Sequence, residues 1–100
     1  MDPSNRHKLF YTETFLDSFD EILLYIKKRH SIRVSNRVKE EIFRAISLIA
    51  WNPYMGSMYG DVYRKYVIEK TIIIYRIDEK NKVVFLVEAF DARQNWTSLL

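Results

Sequence analysis

From Phe15 onward, the hydrophobic pattern of this 100-residue chain changes its period once, at Asn52-Pro53. Before that point apolar residues recur every three or four positions, which predicts amphipathic helices. After it they alternate with polar residues or form short β-branched runs, which predicts strands. Because proline disfavours helical backbone in the residue before it, this dipeptide marks the end of the helical half. The chain therefore predicts helices followed by a sheet, an α+β arrangement.

Two helices are predicted before the proline. The first has an apolar stripe that starts at Phe15, and the helix ends near His30 with basic residues that complement its dipole. The second follows Ser31 and carries its stripe from Val34 to Ile49. Because the connection is so short, the two helices should pack as an antiparallel hairpin. A short strand, Lys8 to Thr12, precedes them and ends at a threonine suited to cap the first helix.

The second half of the chain predicts a loop and three strands. The loop, Asn52 to Asp61, holds both glycines and one of the two prolines. The strands are expected at Val62 to Val67, Thr71 to Ile77 and Lys82 to Phe90, joined by turns at Glu69-Lys70 and Asp78 to Asn81. These turns make the three strands an antiparallel meander. The N-terminal strand and the helical hairpin, packed on this antiparallel sheet, would form a single domain over residues 1–100.

Composition limits the class of protein. With 48% apolar and 15% aromatic residues, the chain can build one hydrophobic core. It has no cysteine, which excludes disulfides and thiolate metal sites and suits a reducing cytoplasm. The polar start and the shortness of the apolar runs predict neither a signal peptide nor a membrane span. No phosphate-binding glycine loop and no metal-ligand spacing is visible, so neither a cofactor nor a metal is predicted.

The formal net charge is +3, and the cations are concentrated in part of the predicted sheet. From Val62 to Arg76 there is one anion, Glu69, against four cations: Arg64, Lys65, Lys70 and Arg76. A local excess of this kind indicates an anionic partner, either nucleic acid or an acidic peptide. The alternative is a basic sheet face that is only solvated.

A group of large apolar residues lies in and beside the predicted loop. Its members are Trp51, Tyr54, Met55, Met58 and Tyr59. An apolar loop on a small domain is a plausible docking surface for a partner protein. The alternative is a loop that folds over the helices and buries these side chains.

The order of elements and several local sequences resemble the RelE/ParE superfamily of toxins. The resemblance rests on three segments: FLDSFDEILLYIKKRHS with Tyr25-Ile26, NPYMGSMYGDVYRKYVI with Pro53, Gly56 and Arg64, and TIIIYRIDEKNKVVFLVEAFDARQNW with Tyr75-Arg76 and Arg93. It covers roughly Lys8 to Trp96. It implies the toxin half of a type II toxin–antitoxin system, a plasmid stabilisation protein that inhibits growth and is held in check by a cognate antitoxin. Members that resemble RelE cut messenger RNA on the ribosome, whereas members that resemble ParE poison DNA gyrase.

The resemblance also implies a site made of cations. Arg64, Lys65, Arg76 and Arg93 match the places where such toxins put phosphate-binding groups, and Lys70 is a further candidate for substrate binding. A guanidinium can hold two phosphate oxygens at once and stays charged at any working pH. Because Arg64 and Lys65 are adjacent on a strand, at most one of them can face a given cleft. The three arginines are expected to converge on one groove, although each could instead be an ordinary surface cation.

Cleavage of RNA would also need groups that take and give a proton. The tail after Arg93 lacks the histidine, tyrosine or carboxylate that nuclease members often carry there. Tyr75, Glu88 and Asp91 remain as candidates, and each has a structural alternative as a core-edge phenol, a strand carboxylate or a turn residue. Three hypotheses stay open: an mRNA endoribonuclease, a gyrase inhibitor that is not an enzyme, and a non-catalytic nucleic-acid or protein-binding module on the same fold.

Overall fold

A computed structural model describes residues 5–93 of the chain. Two helices, α1 (Glu13–Arg29) and α2 (Ile32–Trp51), follow a short strand, β1 (Lys8–Tyr11). A single 3-10 turn at Pro53–Met55 leads into four more strands: β2 (Ser57–Tyr59), β3 (Tyr63–Ile68), β4 (Thr71–Asp78) and β5 (Val83–Asp91). The predicted helical hairpin and the three-stranded meander are both confirmed, with bounds close to those expected.

Side-chain caps fix where both helices begin. The Thr12 hydroxyl accepts a hydrogen bond from the backbone N–H of Phe15 at 3.1 Å and donates to the carbonyl of Leu86 at 2.8 Å. It therefore caps α1 and also ties that helix to β5. Ser31 caps α2 by accepting from the N–H of Val34 at 3.1 Å. Within residues 5–93, neither helix is long and apolar enough to cross a membrane.

The five strands form one sheet in the order β1-β5-β4-β3-β2. Strands β2 to β5 pair antiparallel with their neighbours, whereas β1 runs parallel to β5 at the edge, so the sheet as a whole is mixed. The predicted loop contains one element that was not expected, because Ser57–Tyr59 pairs with β3 as a short edge strand. The register of β4 against β5 shifts between Ile74 and Tyr75. Since Ile74 lies opposite Glu88 and Tyr75 opposite Leu86, Val87 is the extra residue of a β-bulge.

The helices cover one face of the sheet, and the core lies between them. Phe15, Ile22 and Ile26 of α1 and Ile42, Ile46 and Ile49 of α2 are almost fully buried against Ile73, Tyr75, Val84 and Leu86. The opposite face, here called the open face, has no helix packed on it in the described part of the chain. Its side chains include Phe10, Tyr63, Lys65, Ile74, Arg76, Phe85 and Glu88.

Candidate functional site

Arg64 lies on the helix-covered side of the sheet. It is opposite Tyr75 on β4 and Met58 on β2, so its side chain shares their face. Its Nη1 donates a hydrogen bond of 2.7 Å to the carbonyl of Gly56, and its guanidinium carbon stands 5.0 Å from the centre of the Tyr54 ring. Arg64 is half-buried and holds the loop before β2 against the sheet.

Tyr75 is fully buried below that loop. Its hydroxyl donates to the carbonyl of Pro53 at 2.6 Å and accepts from the N–H of Gly56 at 3.0 Å. Burial raises the pKa of the phenol above its ordinary value of 10.0. Both hydrogen bonds of the hydroxyl are used inside the fold. The sequence-based suggestion that Tyr75 carries protons in a reaction therefore needs correction, because this hydroxyl has no access to a substrate.

The same contact explains why residue 56 is glycine. A Cβ at this position would overlap the Tyr75 hydroxyl and would stand 2.7 Å from the carbonyl oxygen of Lys65. The backbone of Gly56 has φ −79°, which any residue can adopt, so the requirement comes from space and not from conformation. Gly56 lets the loop approach the sheet closely enough to bond to Tyr75.

Arg76 lies on the open face, one residue along β4 from Tyr75 and therefore on the opposite side of the sheet. Its guanidinium carbon stands 4.1 Å from the centre of the Phe85 ring, a cation–π arrangement. Phe85 in turn contacts Phe10 of β1, with ring centres 5.3 Å apart. Phe10 is 54% exposed. The open face thus presents a row of aromatic rings with one arginine stacked on it.

Lys65 and Glu88 share the open face with Arg76. Both lie opposite Ile74, one on each neighbouring strand. Two strand spacings separate their Cα atoms by roughly 10 Å. Lys65, Glu88 and Arg76 are therefore the predicted catalytic and substrate-binding residues that share the open face.

Arg93 lies two residues beyond the end of β5, in a network of hydrogen bonds and ion pairs. Its Nη1 lies 2.6 Å from Oδ2 of Asp91, which is fully buried and also accepts from the Thr71 hydroxyl at 2.7 Å. Nη2 of Arg93 lies 3.9 Å from a Glu69 carboxylate oxygen, and the Arg93 carbonyl accepts from the hydroxyl of Tyr25 at 2.6 Å. The Arg93 side chain is only 12% exposed, and Asp91 neutralises its charge. These contacts anchor the strand end, and they also rule out Asp91 as a free proton carrier.

The three arginines therefore do not converge. Arg64 points to the helix side, because it lies opposite Tyr75 on the neighbouring strand. Arg76 points to the open face, because it is the next residue after Tyr75 on β4. Arg93 lies beyond the far end of β4, at least about 13 Å along the strands from the Arg64–Tyr75 pair. The expectation of one groove lined by all three is wrong. Lys70 sits exposed in the turn between β3 and β4, nearer to Arg93.

The residues predicted to dock a partner are largely accessible. Tyr54, Met58 and Tyr59 are each slightly more than half exposed, and Trp51 at the end of α2 is half-buried. Met58 and Tyr59 alternate along the edge strand β2, so they project to opposite faces. They form an exposed apolar edge to the sheet rather than one flat patch.

A cluster that the sequence did not indicate joins His7, just before β1, to the turn between β4 and β5. The buried His7 places its Nε2 3.0 Å from Oε1 of Glu79, whose carboxylate also accepts hydrogen bonds from the hydroxyl of Tyr54 and from Nζ of Lys82. These donors, Tyr54 first, lower the pKa of Glu79 from 4.5 to about 2. His7 and Glu79 are 72 residues apart in the sequence, so no local pattern could have paired them. Among the described residues, no group of three or more acidic or histidine side chains is placed to hold a metal ion.

Comparison with known proteins agrees with this architecture. Three solved structures align with most of this chain and with nearly all of their own chains. A chromosomal ParDE toxin–antitoxin system from P. aeruginosa has a TM-score of 0.74 and 11% identity, over 87% of this chain and 97% of that one. The RelBE2 complex from Mycobacterium tuberculosis has a TM-score of 0.63 and 14% identity (86% of this chain, 98% of that one), and the isolated E. coli RelE toxin has a TM-score of 0.57 and 13% identity (93% of this chain, 92% of that one). Identities this low show a shared fold. A search of curated protein sequences gives no match.

A family model provides the assignment. The model described as the ParE toxin of type II toxin–antitoxin systems, parDE, matches residues 9–96. The matched range includes all the helices and strands, apart from the first residue of β1. The chain belongs to the ParE toxin family of type II toxin–antitoxin systems.

Proposed function

We propose that this toxin stops growth by poisoning DNA gyrase, that a cognate antitoxin neutralises it, and that it does not cleave messenger RNA. The observation that carries the proposal is the match to the ParE toxin family over residues 9–96. Members that resemble ParE act on gyrase, and action on gyrase would place the protein in the cytoplasm.

The geometry of the cations supports this choice. In-line cleavage of RNA needs several cations around one phosphate, together with a base and an acid within hydrogen-bond reach. Here Arg64 and Arg93 are engaged in contacts within the fold, while Arg76 stands apart from both on the open face. Two of the three candidate proton carriers, Tyr75 and Asp91, are fully buried. A gyrase poison needs a binding surface and no such constellation.

The open face favours one alternative, the mRNA endoribonuclease. Arg76, Lys65 and Glu88 lie on the same surface, and the neighbouring ring of Phe10, which is 54% exposed, could support a base. In this alternative Arg76 and Lys65 would hold phosphates, and Glu88 would move the proton. Arg76→Ala with Glu88→Gln would then abolish cleavage.

The proposed antitoxin contact is also on the open face and the adjoining edge of β2. Exposed rings beside Arg76 and Lys65 suit a segment that is both apolar and acidic. Such a segment would cover Phe10, Tyr59 and Tyr63 and neutralise the two cations. Arg76→Glu should weaken antitoxin binding, while Arg44→Glu, on the exposed side of α2, should leave it unchanged.

Induction of the toxin in bacteria separates the hypotheses. A gyrase poison should induce the DNA-damage response and leave transcripts intact. Primer extension that finds new transcript ends within codons, without DNA damage, would establish the nuclease alternative. The third hypothesis, a non-catalytic binding module, predicts that expression of the folded protein without its antitoxin is harmless.

A further inference from the structure

The connection between the two helices carries the densest charge in the molecule. Residues 22–39 include six cations and no aspartate or glutamate, whereas the other 82 residues hold ten cations and 13 anions. All six cations are exposed. We call this surface the basic pole and define it by Lys27, Lys28, Arg29, Arg33, Arg37 and Lys39.

The position of the basic pole follows from the path of α1. Thr12, before the helix, bonds to Leu86 in the middle of β5, and Tyr25 bonds to Arg93 beyond the end of that strand. The helix therefore runs in the direction of β5 and brings its basic end to the end of the molecule that also holds Lys70. The His7–Glu79 cluster lies at the opposite end, beside the turn between β4 and β5.

Helix stability explains only half of this charge. Lys27, Lys28 and Arg29 lie in the last turn of α1, where cations complement the helix dipole. Arg33 lies in the first turn of α2, where the dipole disfavours a cation and where no acidic residue is present, and Arg37 lies one turn further along the helix. The helix dipole therefore does not account for Arg33, Arg37 or Lys39.

Contacts within the described chain leave most of this charge unneutralised. Arg37 has one distant ion pair, with Nε 3.9 Å from Oε1 of Glu41, and Arg29 stands 5.6 Å from the centre of the Tyr25 ring. Lys27, Lys28, Arg33 and Lys39 make no ion pair with any residue from 5 to 93. Most cations of the basic pole are therefore available to contact a polyanion.

We propose that the basic pole binds the phosphate backbone of double-helical DNA without regard to sequence. Its side chains are long, exposed and spread over the last turn of α1 and the first half of α2, which suits contact with regularly spaced phosphates. Arg33 and Arg37 are one helical turn apart, about 6 Å along the axis. The choice of DNA over RNA rests on the proposed function, since gyrase is a DNA-bound enzyme.

Binding of the purified toxin to a fluorescent 30-base-pair duplex tests this proposal. Anisotropy titrations between 50 and 200 mM salt should give a linear fall of log K with log salt. Arg33→Gln with Arg37→Gln should lower affinity at least about tenfold at the lower salt concentration and flatten the slope by about 2, since each lost phosphate contact accounts for about 0.9. Lys8→Gln with Lys80→Gln removes the same charge from exposed positions at the other end and should change neither value substantially.

Several outcomes would overturn the proposal. They are the absence of binding at 50 mM salt, equal losses in the two double variants, or binding to duplex RNA or to polyglutamate more than tenfold tighter than to duplex DNA. Thermal melts check folding, and Arg33→Gln with Arg37→Gln should melt close to the wild-type temperature, because Arg33 opposes the helix dipole and the Arg37–Glu41 pair is exposed and distant. Gyrase trapping is measured separately. Gyrase trapping without DNA binding would refute only the proposal that the basic pole binds DNA. DNA binding without gyrase trapping would refute only the proposed function.

Discussion

Tyr75→Phe tests whether this phenol holds the fold together. The substitution keeps the ring in the core and removes one hydroxyl, which leaves the Pro53 carbonyl and the Gly56 N–H buried without their partner. An unsatisfied buried backbone group costs about 1–3 kcal/mol. With two groups, and some relaxation of the loop toward water, we expect a loss of about 2–4 kcal/mol in the free energy of unfolding.

Urea denaturation followed by circular dichroism measures this loss. For a domain of this size a loss of about 3 kcal/mol should lower the urea midpoint by about 1.5–2 M without changing the slope, and the melting temperature by roughly 12–24 °C. Tyr63→Phe is the matched control, because Tyr63 is 37% exposed on the open face, and it should cost less than about 0.5 kcal/mol.

The result that refutes this reasoning is a Tyr75→Phe protein within 0.5 kcal/mol of wild type. A second readout separates structure from chemistry. At a temperature where the variant is fully folded it should still inhibit growth. Loss of toxicity in a folded variant would return Tyr75 to the list of catalytic candidates.

Two further predictions concern the charged clusters. Asp91→Asn should lower the free energy of unfolding by about 3 kcal/mol, because it removes the carboxylate that lies 2.6 Å from the largely buried Arg93. Asp61→Asn, at an exposed position, is the control and should change the free energy of unfolding very little. Similar losses in the two variants would refute the anchoring role of Asp91. Glu79, whose pKa is lowered from 4.5 to about 2, contributes stability that is present above pH 4.5 and is lost as the pH falls toward 2. Glu79→Gln should therefore flatten the fall in melting temperature across that pH range, whereas the charge-matched control Glu21→Gln should keep the wild-type fall. A Glu79→Gln protein whose melting temperature depends on pH as the wild type's does would count against the stabilising role of the cluster.

Local patterns in the sequence predicted most of the fold. Helical periodicity, the cap residue Thr12 and the stop at Asn52-Pro53 placed both helices within a few residues of their observed ends. The parallel pairing of β1 with β5 could not be predicted, because it joins segments more than 70 residues apart. The strand β2 was missed because three residues are too few for a pattern, and only its pairing with β3 makes it a strand.

The arrangement of the arginines was predictable in part and was still misjudged. The predicted two-residue turn at Glu69-Lys70 sets Ile68 opposite Thr71, and counting along both strands puts Arg64 opposite Tyr75 and Arg76 opposite Tyr63. That register alone places Arg64 and Arg76 on opposite faces. The burial of Arg93 against Asp91 and Thr71 depends on tertiary packing that no local pattern shows. The basic pole was overlooked because its cations are divided between two helices.

The central claim is most directly tested by incubating the purified toxin with gyrase, ATP and supercoiled plasmid, followed by denaturation and protease treatment. We expect linear DNA to accumulate with toxin concentration and to disappear when the cognate antitoxin is added first. No linear DNA at any toxin concentration, with cleavage of messenger RNA in a parallel ribosome assay, would contradict the account.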